Sequence, residues 1–280
     1  MNKTLIFSVV IPTYHRNDSL AKCLDCLAPK VQTLSAEQYE VIVTDDGSET
    51  TAQNMIEEKY FWVKWVEGKH RGPAANRNNG AKFAKGKWLA FTDDDCLPDP
   101  RWLEAYAEAI TNKPDYQVFE GRTYADRPRK SLAEESPLNN TGGYLWSCNF
   151  AIQKQLYESI NGFDERFYYA AMEDVDLNYR LRKLGYKSLF ITTASLCHPW
   201  KSIGGWKKLK QRQKSTFIYL SIHPEESERI NRVYYLKAFF KRFYESIAKD
   251  LYQYKGSGIF TSLIIQYLLL ENIFLVNRRS

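Results

Sequence analysis

Short apolar, β-branched segments alternate with segments of helical periodicity through the first 120 residues of this chain. The pattern predicts strands at residues 5–11, 39–44, 62–66, 87–92 and 116–120, with helices near 18–27, 51–59, 74–85 and 101–111. Strands and helices that alternate in this way form a mostly parallel, doubly wound sheet with helices on both faces. We therefore predict an α/β protein. Ligands bind such sheets beyond the carboxyl ends of the strands, so the residues after each strand are candidates for a site.

Charge divides the chain near residue 200. The whole chain has a net charge of +6, but residues 200–280 carry fifteen Lys and Arg against six Asp and Glu, a net charge of +9. We predict an α/β domain at residues 1–200 and a helical, basic region at residues 201–280. Within the first part, residues 123–143 lack periodicity, and we predict a mobile surface loop there.

The basic C-terminal region contains one strongly apolar segment, residues 259–276. Gln266, Glu271 and Asn272 interrupt it, which favours an interfacial or buried helix over one that spans a membrane. The positive charge of the region indicates an anionic membrane surface as a partner. The alternative is a solvated helix packed on the α/β domain.

The cysteine content and the N-terminal sequence indicate the cellular compartment of the protein. Five cysteines in 280 residues do not form the dense, even framework of a small secreted domain. Cys23 and Cys26 fall in an amphipathic helix with no second pair or nearby His, which favours buried thiols. The apolar run at the N-terminus stops at Pro12, so we interpret it as a strand and not as a signal peptide. We expect a cytoplasmic protein, with peripheral attachment to the cytoplasmic face of a membrane as an option.

The first group of acidic residues follows the second predicted strand. Asp45 and Asp46 precede Gly47 and Ser48, where a strand gives way to a helix. A carboxylate at this point can accept a hydrogen bond from a nucleobase or from a ribose hydroxyl. The same residues are typical of a turn with a helix cap, and taken alone the motif favours the turn.

The second group follows an apolar strand directly and consists of Asp93, Asp94 and Asp95. Three adjacent like charges repel, whereas a hard divalent cation needs several oxygen ligands in one place. In an extended chain, Asp93 and Asp95 point to the same side. The alternative is an exposed acidic turn. His198 follows another predicted strand and is either a structural residue or a further ligand of a metal at Asp95.

The third group, Glu173, Asp174 and Asp176, begins a predicted helix. The apolar stripe of this helix consists of Leu177, Leu181 and Leu184. Acids in a first turn interact favourably with the helix dipole, which is sufficient to explain Asp176. The same dipole keeps Asp174 ionised, as a general base must be before it takes a proton.

Five motifs occur in a fixed order over roughly the first 200 residues. They are residues 8–16 (SVVIPTYHR), 45–48 (DDGS), 72–78 (GPAANRN), 93–95 (DDD) and 173–174 (ED). Together they resemble family 2 glycosyltransferases of the GT-A fold, with the nucleotide-sugar-binding and catalytic domain at residues 1–200. The order and spacing of the motifs are specific for the family and not for the substrate, and the region after residue 200 matches no shared motif.

The resemblance implies a reaction and its partners. A sugar would pass, with inversion, from a nucleotide diphosphate donor to a hydroxyl of a glycan or a lipid-linked saccharide, and no nucleic acid takes part. UDP-sugars are the expected donors, with dTDP-sugars and GDP-sugars as alternatives. The expected cofactor is Mn²⁺ or Mg²⁺.

The resemblance also implies roles for individual residues. Contacts to the nucleotide would come from Pro12, Tyr14, Arg16, Arg71, Asp93, Asp94 and either Asp45 or Asp46. Asp95 and His198 would bind the metal, and the division of labour between Asp94 and Asp95 stays open. Asp174 would be the catalytic base, with Glu173 beside it. Trp146, Asn149 and Asp164 would line the sugar and acceptor pocket.

Two rival functions belong to different classes. A nucleotidyltransferase that makes nucleotide sugars also needs an acidic metal site on such a sheet, but it releases pyrophosphate. An inactive carbohydrate-binding module would retain the fold without the chemistry. A dehydrogenase and a P-loop enzyme are disfavoured because neither G-x-G-x-x-G after the first strand nor G-x-x-x-x-G-K-[ST] is present.

Overall fold

The computed structural model describes residues 5–244 and 249–276. The chain divides into two compact units. Unit 1 comprises Met1–Asp126 and Pro137–Pro199, and unit 2 comprises Arg127–Ser136 and Trp200–Ser280. Residues 127–136 lie within the segment that we predicted to be a surface loop, yet they belong to unit 2.

The helices and strands alternate through unit 1. The strands of the chain are β1 (Phe7–Thr13), β2 (Tyr39–Asp45), β3 (Val63–Glu67), β4 (Trp88–Thr92), β5 (Leu97–Pro98), β6 (Val118–Tyr124), β7 (Glu134–Glu135), β8 (Asn149–Gln153), β9 (Ser188–Cys197) and β10 (Lys201–Ser202). The α-helices are α1 (Asn17–Leu27), α2 (Gln53–Lys59), α3 (Pro73–Lys82), α4 (Trp102–Asn112), α5 (Lys154–Ser159), α6 (Glu173–Lys183), α7 (Trp206–Ile222), α8 (Arg232–Lys241), α9 (Lys249–Tyr254) and α10 (Ile259–Val276).

Unit 1 is built on one eight-stranded sheet with the strand order β3-β2-β1-β4-β8-β6-β9-β5. Neighbouring strands from β3 to β4 are parallel, whereas β8 runs antiparallel to both β4 and β6. The predicted α/β fold with a mostly parallel sheet is confirmed. Because Thr92 at the end of β4 lies opposite Asn149 at the start of β8, residues before β8 lie at the edge of the sheet where β1, β2 and β4 end.

The central strands are buried along their whole length. All residues of β1 and β4 are buried, as expected for parallel strands that are covered on both faces. Helices α1 and α4 contribute large apolar side chains to this core, including Leu24 and Trp102. Each of the five cysteines is a free thiol, and Cys23 lies in the same core, as the amphipathic pattern of α1 predicted.

Three local predictions differ from the structure. Strand β6 extends to Tyr124, four residues beyond the predicted end at residue 120. Leu184 is 61% exposed and does not continue the stripe of Leu177 and Leu181, because α6 ends one residue earlier. The segment 123–143 is not a simple surface loop. It contains β7, which pairs with β10, and it contains Asn139, which is buried and bridges to Thr123.

Unit 2 is mainly helical, as predicted for the C-terminal region. Its helices are α7 to α10, and its small sheet pairs β7 with β10. Helix α10 packs against α7 and α8. Arg212 of α7 forms an ion pair with Glu135 of β7, which ties the inserted segment to the helices of the same unit.

Candidate active site

The turn after β4 holds the three aspartates in different environments. The chain turns at Asp94, so Asp93 and Asp95 are not held on one side by an extended backbone. The Asp94 carboxylate accepts hydrogen bonds from Thr13 Oγ1 (2.8 Å) and from Arg16 Nη1. Burial, which Arg16 only partly offsets, raises the pKa of Asp94 to about 6. Protein donors therefore engage both oxygens of Asp94.

Asp95 lies beside His198. The distance from Asp95 Oδ1 to His198 Nε2 is 3.2 Å, and Asp95 Oδ2 lies 3.1 Å from Arg16 Nη1. His198 Nδ1 is 3.0 Å from the carbonyl oxygen of Pro199, which can only accept, so Nδ1 carries a proton. This bond fixes the ring and turns Nε2 towards Asp95, an arrangement that is common among metal-binding histidines.

The loop after β2 is held by its own aspartates. Asp45 accepts hydrogen bonds from the backbone N–H groups of Gly47 and Ala52, as the turn interpretation of this motif predicts. Asp46 accepts from the N–H groups of His70 and Gly72, so it fixes the entry into α3. Both aspartates are buried, which leaves little carboxylate surface for a nucleobase.

Helix α3 is buried on all sides although its middle consists of Asn76, Arg77, Asn78 and Asn79. Each of these polar groups must find a partner, because an unpaired buried polar group is costly. Asn76 donates to the carbonyl oxygen of Thr44 (2.8 Å), and Asn78 donates to that of Phe163 (2.8 Å). The helix thus joins the carboxyl end of β2 to the loop before α6.

Arg77 connects two of the three acidic groups. Its Nη2 lies 2.7 Å from Asp93 Oδ1, its Nη1 lies 3.2 Å from Glu173 Oε1, and its guanidinium lies over the ring of Phe163. The Arg77 side chain is only 4% exposed. A buried guanidinium with two carboxylates on its fork fixes their separation and compensates their charge. Arg77 lies within a family motif, yet the sequence alone did not assign it a role.

Glu173 and Asp174 differ in their exposure to solvent. Glu173 is buried against Arg77, whereas Asp174 is half-buried and accepts from the N–H groups of Ser147 (3.3 Å) and Val175 (2.8 Å). Burial, together with the charge of Asp174, raises the pKa of Glu173 to about 7, and burial also raises the pKa of Asp174. Met172, just before α6, has a φ of 73°, a left-handed conformation that is uncommon for residues other than glycine.

Among the predicted sugar and acceptor residues, Asn149 does not face a pocket. Its Oδ1 accepts from Trp102 Nε1 and Tyr106 Oη, and its Nδ2 donates to the carbonyl oxygens of Arg122 and Ala194. The residue is 1% exposed. Because its amide is saturated by protein partners, Asn149 holds the core together and is not available to a sugar.

The other predicted sugar and acceptor residues, Trp146 and Asp164, lie nearer the surface. Trp146 stacks on Tyr144 with ring centroids 5.3 Å apart, and Asp164 forms an ion pair with Arg166. Three residues predicted to contact the nucleotide lie around the turn after β4 or the loop before α3. Of these, Pro12 is buried within β1, Tyr14 is 60% exposed, and Arg71 is exposed and lies 3.4 Å from Glu165.

Comparison with known proteins identifies the family of this chain. The model of the family described as glycosyl transferase family 2 matches residues 8–172. Validoxylamine A glucosyltransferase of Streptomyces hygroscopicus subsp. limoneus is 29% identical over 221 residues, covering 64% of this chain and 48% of that protein. Chondroitin synthase of Escherichia coli is 28% identical, covering 71% of this chain and 29% of the relative. The chain spans about half the length of the Streptomyces relatives that it matches.

Solved structures show the same fold. Staphylococcus aureus TarS 1–349 superposes with a TM-score of 0.56 at 19% identity, over 70% of this chain and 60% of that chain. The complex of TarS 1–349 with UDP-GlcNAc gives 0.56 at 22% identity, over 72% of this chain and 60% of that chain. The family model covers more than half of the residues of this chain, and the five motifs occur in the expected order. The chain therefore belongs to glycosyltransferase family 2, and it has the GT-A fold of these solved structures.

Proposed function

We propose that this chain is an inverting, metal-dependent glycosyltransferase that moves a sugar from a UDP-sugar to a hydroxyl of a glycan or lipid-linked saccharide, with Asp174 as the general base. The observation that carries the proposal is the Arg77 bridge. It ties Asp93, at the edge of the sheet where ligands bind, to Glu173 beside Asp174. A single displacement requires a donor held near Asp93 and a base at Asp174.

Asp174 is the better base of the pair. A base must reach the acceptor hydroxyl, and Asp174 is half-buried whereas Glu173 is 4% exposed and engaged by Arg77. The acceptor oxygen would attack the anomeric carbon from the face opposite the diphosphate while Asp174 takes the hydroxyl proton. One displacement inverts the anomeric centre, so an α-linked donor gives a β-linked product.

The residues at Asp95 fit a divalent cation. Asp95, Cys96 and His198 place one potential ligand atom each within 4.8 Å of one another. Burial raises the pKa of the Cys96 thiol well above its ordinary value, so the thiol stays protonated and is a poor ligand. The remaining carboxylate and imidazole suit Mn²⁺, with Mg²⁺ as the alternative. A bound cation supplies Lewis-acid stabilisation of the negative charge on the departing diphosphate.

The nucleotide would lie along the carboxyl ends of β1, β2 and β4. Tyr14 offers an exposed ring for the base, and Arg16 carries positive charge beside Asp94 and Asp95. Asp93 would approach the ribose, and Arg71, which is exposed in the loop before α3, would close over the nucleotide. Both aspartates of the loop after β2 are engaged by backbone N–H groups, and Asp46, the more exposed of the two at 6%, would be the one to contact the nucleobase.

Divalent metal should control nucleotide binding, because the carboxylates after β4 otherwise repel the diphosphate. We expect UDP to bind at least about tenfold more weakly in EDTA than in Mn²⁺, and we expect Asp95→Ala to abolish this difference. Isothermal titration calorimetry measures both. Asp115→Ala, at an exposed aspartate in the turn after α4, is the matched control and should behave as wild type. Equally tight UDP binding in EDTA would refute the metal assignment.

The acid pair should also set the pH dependence of transfer. A carboxylate base acts only when ionised, and burial places the pKa of Glu173 at about 7. Protonation of the Glu173–Asp174 pair should therefore lower kcat/KM as the pH falls through about 7, with full activity above it. In Glu173→Gln, one of two like charges is gone, so the midpoint should move to lower pH. A wild-type midpoint near that of a free carboxyl, about 4, would contradict the assignment.

The leaving group distinguishes a glycosyltransferase from a nucleotidyltransferase. A glycosyltransferase releases UDP, whereas a nucleotidyltransferase releases pyrophosphate.

A thermal-shift screen of UDP-, dTDP- and GDP-sugars with Mn²⁺ identifies the donor, because a ligand that binds only the folded protein raises the melting temperature of that protein. We propose that the reaction takes place at the cytoplasmic face of a membrane, where a lipid-linked acceptor is found.

A further inference from the structure

Helix α10 of unit 2 turns several of its polar residues inwards. Five of its residues are buried, and three of these are Ser262, Gln266 and Asn272. Gln213 of α7 donates to Asn272 Oδ1 (2.6 Å), and Gln266 donates to the backbone carbonyl of Phe239 in α8 (2.9 Å). Hydrogen bonds thus fix the orientation of α10 on its own neighbours.

The opposite face of α10 is apolar and faces solvent in the described residues. Its exposed side chains recur at intervals of three and four: Phe260, Leu263, Tyr267, Leu270 and Phe274. Phe260 is 80% exposed and Phe274 is 66% exposed. Trp206 of α7 extends this stripe, since its ring lies 5.5 Å from that of Tyr267 and is also exposed. A contiguous exposed apolar surface of this kind marks an interaction site.

We propose that this stripe, residues 260, 263, 267, 270 and 274 with Trp206, inserts into the interface of an anionic lipid bilayer. This deepens the membrane location proposed above by naming the surface that makes the contact. Aromatic side chains that alternate with aliphatic ones along one helix face are typical of interfacial helices.

The helix lies along the membrane and does not cross it. By length and composition α10 is sufficient to span a bilayer. However, an ion pair between Lys210 of α7 and Glu271 of α10 holds the two helices together. Helix α7 also carries Lys207, Lys208, Arg212 and Lys214. Immersing α10 fully would carry these charges towards the hydrocarbon, which is costly.

Charge favours a membrane over a second copy of the chain. The segments of unit 2 carry eighteen Lys and Arg against eight Asp and Glu, a net charge of +10. Two such units face to face repel, whereas anionic lipid headgroups attract them. Lys207 and Lys214 of α7 are exposed and available to headgroups.

Vesicle sedimentation tests the surface with the full chain. We expect wild type to bind vesicles of phosphatidylcholine with phosphatidylglycerol, and to bind phosphatidylcholine alone weakly. Phe260→Ser with Phe274→Ser should reduce partitioning by at least about tenfold, and Lys207→Glu with Lys214→Glu should remove the binding gained at low salt. Phe61→Ser in unit 1, at a side chain that is 88% exposed, is the matched control and should bind as wild type.

The outcomes separate the alternatives. Wild type that stays in the supernatant at low salt, or a double serine variant that binds as wild type, overturns the proposal. So does a wild-type dimer in light scattering that the double serine variant converts to a monomer without any vesicle binding. The substituted side chains are exposed, so circular dichroism and UDP binding should be unchanged. Wild type that binds vesicles but does not bind UDP in Mn²⁺ would count against the proposed catalytic function alone.

Discussion

Asp174→Asn is expected to lower glycosyl transfer by a factor on the order of 10²–10⁴ while UDP binding stays nearly unchanged. The amide is close to isosteric and keeps an acceptor oxygen for the Ser147 N–H, but it cannot take up the proton that the attacking hydroxyl loses. If Asp174 only interacts with the helix dipole, the change should cost about 1 kcal/mol of stability or less and leave turnover intact. Initial rates and UDP calorimetry distinguish the two roles.

Glu173→Gln is the paired variant for this prediction. Glu173 is oriented by Arg77 and is buried, so its loss should alter the pH profile more than the maximal rate. If Glu173→Gln abolishes transfer and Asp174→Asn does not, the base is Glu173. If both variants keep near-normal transfer, the pair is structural and the base lies elsewhere.

Arg77→Met is expected to destabilise unit 1 by about 3–5 kcal/mol and to abolish transfer. Methionine fills much of the same volume, but it leaves Asp93 and buried Glu173 without their compensating charge. Urea denaturation monitored by circular dichroism measures the loss. Arg77→Lys should recover only part of the lost stability, because a lysine ammonium lacks the two separate Nη groups with which Arg77 reaches both carboxylates.

Two further variants test the cause of the Arg77 effect. Arg101→Met removes an arginine that also pairs with two carboxylates, Glu104 and Glu108, but lies at the surface, so stability should hardly change. Arg77→Met combined with Glu173→Gln should regain part of the lost stability, since one unpaired charge is removed, and should remain inactive. An Arg77→Met protein as stable and active as wild type would exclude the bridge as the organiser of the site.

The sheet was predictable because its signals are local. The strands β1 and β4 are buried on both faces, and their sequences are continuous hydrophobic segments. Helices α1 and α4 carry clear apolar stripes. The acidic motifs were found for the same reason, since each follows a strand or begins a helix. Segment β7 was missed because it has only two residues and pairs with β10, which lies far along the chain.

The roles of Arg77 and Asn149 depend on tertiary contacts that no local pattern reveals. Arg77 meets Glu173 across 96 residues, and Asn149 is bonded to α4, β6 and β9 at once. One signal could have been used. Residues 76–79 read Asn-Arg-Asn-Asn in a helix without an apolar stripe, and a helix of that kind is stable in a core only if each polar group has a partner.

The anomeric configuration of the product tests the proposed single displacement. The donor selected by the thermal-shift screen, with an α-linked sugar, is incubated with Mn²⁺ and a saccharide acceptor, and the new glycosidic bond is assigned by proton NMR. We expect a β-linkage, one UDP released per bond formed, and no product with Asp174→Asn. An α-linked product, or release of pyrophosphate in place of UDP, would contradict it.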